Sequence, residues 1–302
     1  MTHVRTRMPF ALVLALSAGT AAAGPETPAP RYRFQVGEQL AYVVDVSTHI
    51  ETSAFGQTNA AEMTQRIDLT WEVSRVDADG KATITQTVGR VRFKAVTPRE
   101  TAEYDTANGT APRDPQVKGI AARLDAVVGA RISATIDSRG HLADVRLVEK
   151  AGGGRLPPRA EWDGLGNPSS EAGFRRLIGQ LIPLLAETSP ARGESWSYRT
   201  EEALSEGKAT TEIRYTDEGP EERDGRPIQK LSLAVARRTQ NGEGETLSAT
   251  NGTGTAYFDT AGGRLVESWL THTRELAVAA DDTKLTRKVT ETITLRLAGG
   301  VK

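Results

Sequence analysis

The 302-residue sequence contains no cysteine. This excludes disulfides, thiolate metal sites, cysteine nucleophiles and a lipid anchored through an N-terminal cysteine. Aromatic residues are scarce, at 5%. Histidine is rarer still, with 4 residues, of which His3 falls at the extreme N-terminus. The net charge is −1, with no basic excess to draw in nucleic acid or an anionic membrane. Beyond the first two dozen residues there is no long apolar run, so a mature chain would carry no membrane-spanning helix. The sequence has no G-x-S-x-G elbow, no P-loop and no complete G-x-G-x-x-G. These absences point to a non-enzymatic protein without a cofactor and without a nucleic-acid partner.

The N-terminus has the design of a cleaved secretory signal. Arg5 and Arg7 precede the apolar run Phe10 to Leu16, and Ala21-Ala22-Ala23 fits the small-residue cleavage rule. We read 1–23 as a signal peptide and 24–30 (GPETPAP) as a Pro-rich tether. Loss of the signal takes the net charge from −1 to −3. The expected location is periplasmic or extracellular. An exported chain without disulfides must be held by its core alone.

From residue 31 onward the pattern is β. Leu40, Tyr42, Val44, Val46 and Ile50 alternate with Asp45, Ser47, His49 and Glu51. Met63, Ile67, Leu69, Trp71 and Val73 repeat the pattern, and Asp79-Gly80 turns the chain into Ala82, Ile84 and Val88. The phase then changes at Gly89-Arg90, which predicts a β-bulge. Val117, Ile120, Leu124 and Val127-Val128 recur at helical spacing and end at Gly129. Hairpins follow around Asp137-Ser-Arg-Gly-His141 and, later, Asp259 to Leu265. Between them, 151–168 is a Gly- and Pro-rich loop, and a second helix from Ser169 to Ile182 places Phe174, Leu177, Ile178 and Leu181 on one stripe before Pro183. Leu285 to Leu297 closes the chain as a strand.

Two hexapeptides match: GEQLAY at 37–42 and GESWSY at 193–198. Each is followed by an Asp-Gly turn (79–80 and 224–225) and ends in a hairpin of similar wording. The order predicts an internal duplication. The organisation is then one β-rich domain over 31–302, with pseudo-repeats at about 31–150 and 190–298 joined by loop and helix 151–189. The fold class is all-β to α+β, a curved antiparallel, half-barrel-like sheet with about two helices packed on its concave side.

Chemistry-bearing patterns are weak. His49, His141 and His272 form no ligand spacing and read as solvated. Asp77-x-Asp79-Gly80 opens like a calcium loop but reaches a strand too soon, so it reads as a hairpin turn. Ser205-x-x-Lys208 is interrupted by Gly207, and Gly252-x-Gly254 stands alone inside a strand-like region. Arg287 and Glu291 fall on the same face as Val289, Ile293 and Leu295; they either line a polar cleft or pair with each other at a sheet margin. Trp162, in the Gly/Pro-rich loop, is either a lid or a binding anchor. The residues expected to touch a ligand or partner are therefore Trp162, Phe174, Leu177, Leu181, Arg287 and Glu291.

The stretches YRFQVGEQLAY, ETSPARGESWSY, GTAYFDTAGGRLVES and KLTRKVTETITLRL together resemble an uncharacterised family of secreted bacterial β-rich proteins, a domain of unknown function. More distantly the plan is similar to the half-barrel of periplasmic lipoprotein carriers and related lipid-binding proteins, in which a curved sheet holds an apolar ligand under helices. The second resemblance implies binding of an apolar small molecule or lipid in a sheet concavity. The rival expectation is a structural or assembly component that contacts other envelope proteins through sheet edges and loops.

Overall fold

A computed structural model describes residues 29–108, 115–148, 171–204, 207–244, 246–280 and 283–298. The signal segment 1–23, tether residues 24–28, Trp162, Ser205 and the start of the second helix lie outside the described residues. In chain order the elements are β1 (Gln39–Ala54), β2 (Gln57–Val76), β3 (Ala82–Val96), β4 (Thr101–Asp105), α1 (Pro115–Val127), β5 (Arg131–Ile136), β6 (Leu142–Val148) and α2 (Glu171–Leu181). They continue with β7 (Ser195–Leu204), β8 (Gly207–Arg223), β9 (Arg226–Asn241), β10 (Thr246–Asp259), β11 (Arg264–Ala280) and β12 (Thr283–Leu297). All strands join one open, curved antiparallel sheet in the order β6-β5-β3-β2-β1-β12-β11-β10-β9-β8-β7, with β4 paired to β3 outside that path.

The chain starts in the middle of the sheet and builds outward to β6. It crosses the concave face as α2, reaches the opposite edge as β7, and builds inward until β12 lies beside β1. Tyr42 to Ser53 of β1 pair with Leu297 to Thr286 of β12. The period-2 pattern decides which face each residue takes. Leu40, Tyr42, Val44 and Val46 are buried and point inward with Ile67, Leu69, Trp71 and Val73 of β2. The predicted bulge is present: Asp68 pairs with Arg90 and Leu69 with Val88, leaving Gly89 as the extra residue. It keeps Val88 and Val91 both on the buried face.

Phe174, Leu177, Ile178 and Leu181 of α2 are fully buried in the same core as Ile213, Tyr215, Leu233, Ile293 and Leu295. Each such side chain contributes about 1.5–3 kcal/mol of burial free energy. Pro183 follows α2 directly and is buried, and its carbonyl accepts the Tyr32 hydroxyl at 3.2 Å. Residues 30–36 close one end of the sheet. Tyr32 N–H donates to Ser138 O, Arg33 N–H donates to Gly263 O, and the Tyr32 ring meets Phe258 edge-on at 4.9 Å. Gly140 has φ 95°, and a Cβ there would stand 2.6 Å from the Tyr32 ring and 2.7 Å from Pro183 O. Only glycine lets this strap lie so close.

The two Gly-Glu segments form the same turn. Gly37 (φ 84°) and Gly193 (φ 86°) donate to Val73 O and Asp217 O, and those residues' N–H groups return to Glu38 O and Glu194 O. The Glu38 and Glu194 carboxylates accept from the backbone N–H three residues back, at Gln35 and Ala191. The Asp-Gly landmarks differ, however. Asp77–Lys81 closes with two N–H groups on Asp77 Oδ1, as Asp137–His141 does on Asp137 Oδ1. Asp224-Gly225 is instead a two-residue turn with both φ positive, 49° and 72°. The two halves thus share the Gly-Glu turn and the sense in which β1-β2-β3 and β7-β8-β9 cross the sheet, but not the Asp-Gly turn.

The β1–β2 turn holds a local conflict. Phe55 and Gly56 both have positive φ, 51° and 73°, and the Phe55 side chain is 85% exposed. A bulky L-residue is disfavoured there, whereas Asn-Gly is the preferred pair. Phe55→Asn is expected to raise unfolding free energy by about 0.5–1 kcal/mol in chemical denaturation. An unchanged or lower midpoint would show that the Phe backbone carries no strain.

Candidate functional site

The space directly under α2, which the sequence leaves open as hollow or packed, is filled. Phe174, Leu177 and Leu181, three of the residues expected to touch a ligand, are 0–1% exposed. The sheet curls far enough for their stripe to meet the opposite strands, so they serve as core. Arg287 is exposed toward the far end of β12, and Glu291 lies four residues further in, on the same face. The two do not pair with each other. Glu291 stands 3.3 Å from His272 on β11 and accepts the Thr48 hydroxyl of β1 at 3.4 Å. The His272 and Glu291 side chains are only 12% and 13% exposed, so His272 is not the solvated residue the alternation predicts. The strands flanking β12 set this pairing: His272 is the register partner of Glu291. His49 is half-exposed beside Glu51 and Glu62. Among the described residues no group of three His, Asp or Glu side chains is placed to hold a metal ion. Gly252 and Gly254 lie within β10 without a register shift; a Cβ at Gly254 would run into the β11 backbone at Trp269. Close strand approach therefore accounts for these glycines.

Two concave features stand out among the described residues. The first, of about 660 Å³, is a groove on the outer face across β12, β1, β2, β3 and β4. Its charges are mutually compensated: Asp45 with Arg66 and Arg296, Asp68 with Arg92, and Lys94 with Glu103. Arg90 donates through two nitrogens to Asp105, which also accepts from Ala107 N–H. Groups so paired offer little to a ligand.

The second, of about 510 Å³, lies at the seam where the sheet fails to close. Its sides are α2 and the β7–β8 pair. The β6 edge is covered by α2: Glu171 accepts from Leu147 N–H, and Arg175 donates to Val145 O. Among the described residues the β7 edge is not covered in this way, and the cleft runs between. Its floor includes Ile213 and Tyr215 of β8 with Ile182 and Leu184. The Leu184 carbonyl accepts Trp196 Nε1–H at 2.6 Å, and the Leu184 backbone N–H bonds the Tyr215 oxygen. Burial pushes the Tyr215 phenol up, so it stays protonated. Burial likewise raises Tyr198, whose ring meets His141 edge-on at the mouth, 5.6 Å between centroids. At the far end stand Arg176, Glu202, Arg237 and Thr211.

Gly179 is the helix residue that opens onto this cleft. It lies inside α2, lines the cleft, and a Cβ built on it meets nothing within 4 Å. Glycine within a helix costs about 1 kcal/mol relative to alanine. Nothing steric requires it here, and any larger side chain would enter the cleft. No sequence pattern marks this site, because its walls come from β6, α2 and β7–β9. The one legible signal was a glycine on a helix face beside an apolar stripe.

No protein-family model matches the chain, and no curated protein sequence does. Among solved structures, lipovitellin aligns over 88% of this chain at 12% identity with a TM-score of 0.47, and this chain spans about a quarter, 26%, of that one. A DUF1329 family protein from Desulfovibrio piger aligns over 87% of this chain and 88% of its own, at 9% identity and a TM-score of 0.17. OccK5 (OpdH) of Pseudomonas aeruginosa aligns over 86% and 99%, at 8% identity and a TM-score of 0.25. At scores below 0.5 none of these establishes a shared fold. Among the described residues no helix is long and apolar enough to cross a membrane.

The outer groove has a measurable acid response. The Arg90 guanidinium holds the Asp105 carboxyl down at about 2, against an ordinary carboxylate value near 4. A depressed carboxyl adds stability above its unfolded value and loses it as pH falls through the folded one. The stability difference between wild type and Asp105→Asn should be full above about pH 4 and vanish toward pH 2. A pH-independent difference in urea titrations would refute the pairing.

Proposed function

We propose that this is a non-enzymatic exported envelope protein that binds a small, partly apolar molecule in the cleft between α2 and β7–β8. The observation that carries the reading is Gly179, an open-sided glycine inside a helix whose substitution would fill the cleft. The volume, about 510 Å³, falls within the usual range of small-molecule sites. The apolar floor with a few polar groups at one end also matches their usual composition. The lining presents His141 as well as Tyr, Arg, Glu and Thr side chains, and among the described residues none is a nucleophile hydrogen-bonded to a base, which favours the binding reading. The N-terminal signal-like segment supports export to the periplasm or beyond.

A second reading, assembly with another envelope protein, is favoured by one observation. Among the described residues the outer edge of β7 makes no backbone hydrogen bond, so an extended partner segment has a strand to pair with. A photo-reactive residue at Ser197 would capture such a partner in the native host; absence of any adduct there would remove this reading.

The first reading is tested by binding of N-phenyl-1-naphthylamine, an uncharged apolar fluorophore. Gly179→Leu should lower its affinity at least about tenfold while unfolding free energy stays equal or rises by up to about 0.8 kcal/mol, because leucine is the better helix former. Unchanged probe binding in a folded Gly179→Leu variant would show that the cleft is not the site.

A further inference from the structure

The two ends of the cleft differ in chemistry. Toward Leu142 the lining is Ile182, Leu184, Ile213 and the Tyr215 ring. At the other end α2 presents Arg176 and β9 presents Arg237, only 22% and 23% exposed, with one carboxylate, Glu202, between them. Glu202 is committed to Arg237 at 3.0 Å, and Arg237 also donates to the Thr211 hydroxyl at 3.1 Å.

Arg176 is the weaker partner of that carboxylate. Its Nη2 lies 3.9 Å from Glu202 Oε1, beyond hydrogen-bonding distance. Its Nε is shut off from water and has no acceptor. A guanidinium offers five donors, and here one is buried without a partner while Nη2 has only a long ion-pair contact, which is unfavourable in a half-buried position. Two cations against one anion give this end a net positive charge. The other rim carboxylates do not offset it. Glu171 is matched by Arg175 on the same helix, and Glu201 pairs with Arg199 and Lys208.

We infer that the ligand is a single-chain amphiphile with an acidic head. The carboxylate or phosphate head is taken by Arg176 beside Arg237, and the chain runs past Gly179 along Ile182 and Leu184 toward Leu142. This rests on the cleft being a small-molecule site, as proposed above. A guanidinium answers either head through parallel N–H donors, and the semi-buried setting strengthens the contact.

The test displaces N-phenyl-1-naphthylamine with hexadecanoic acid, monohexadecyl phosphate or hexadecanol, in wild type and in Arg176→Gln. In wild type at least one acid should compete about tenfold or more better than the alcohol, and the better of the two names the head. Arg176→Gln should bring that acid down to the level of the alcohol, with the alcohol's own affinity and the unfolding midpoint unchanged. Raising the salt should narrow the acid's advantage in wild type. That comparison needs no variant, so the test stands if Arg176→Gln folds poorly. Equal competition by acid and alcohol in wild type, or an advantage that survives in Arg176→Gln, overturns the acidic head and leaves the cleft reading intact. Failure of wild type to bind the fluorophore or any of the three ligands overturns both.

Discussion

A curved sheet that does not close on itself has an apolar inner face with no second sheet to cover it, and α2 supplies that cover. Its stripe of Phe174, Leu177, Ile178 and Leu181 is sealed against strands from both halves of the chain. The same helix answers the free backbone groups of β6 through Glu171 and Arg175. The strap that follows, from Ile182 to Glu187, is tied down from several directions. Tyr32 holds Pro183 O, Arg139 O accepts Leu185 N–H, Trp196 holds Leu184 O, and Arg31 reaches Ala186 O. Burial and edge protection are thus vested in one eleven-residue helix and the turn after it.

That solution is lopsided. α2 serves the β6 edge and leaves a gap toward β7, and the gap is where Gly179 faces open space. A barrel with β6 paired to β7 would have no such seam. The cleft is therefore a consequence of topology: the chain spends its sixth connection on a helix across the concave face, so the outermost strands stay apart. The charges at the cleft's far end come from three separate elements, α2, β7 and β9, which meet only because the sheet curls around the helix.

Much of the fold was legible in the residues. Alternation at Leu40–Ile50 and Met63–Val73, the bulge at Gly89 and the helix ending at Gly129 all follow from local periodicity and turn chemistry, which act over a few residues. β4 and the Phe55-Gly56 turn left no comparable mark; the first is five residues long and the second breaks the usual residue preference for its conformation. The Asp-Gly pairs at 79–80 and 224–225 share wording but not geometry, because an Asp two residues earlier, Asp77, gathers the first into a longer turn.

By itself the sequence determined the strand faces, the two helices, the Gly-Glu turns and the absence of cysteine chemistry. Each depends on neighbours within a few positions along the chain. Tertiary structure alone decided that β12 would lie beside β1, that Glu291 would face His272 and not Arg287, and that the apolar stripe of α2 would be core. It alone brought Arg176 and Arg237 to one carboxylate at the open seam. The reason is separation: these pairs stand on different strands or helices, and only the curvature of the sheet sets the distance between them.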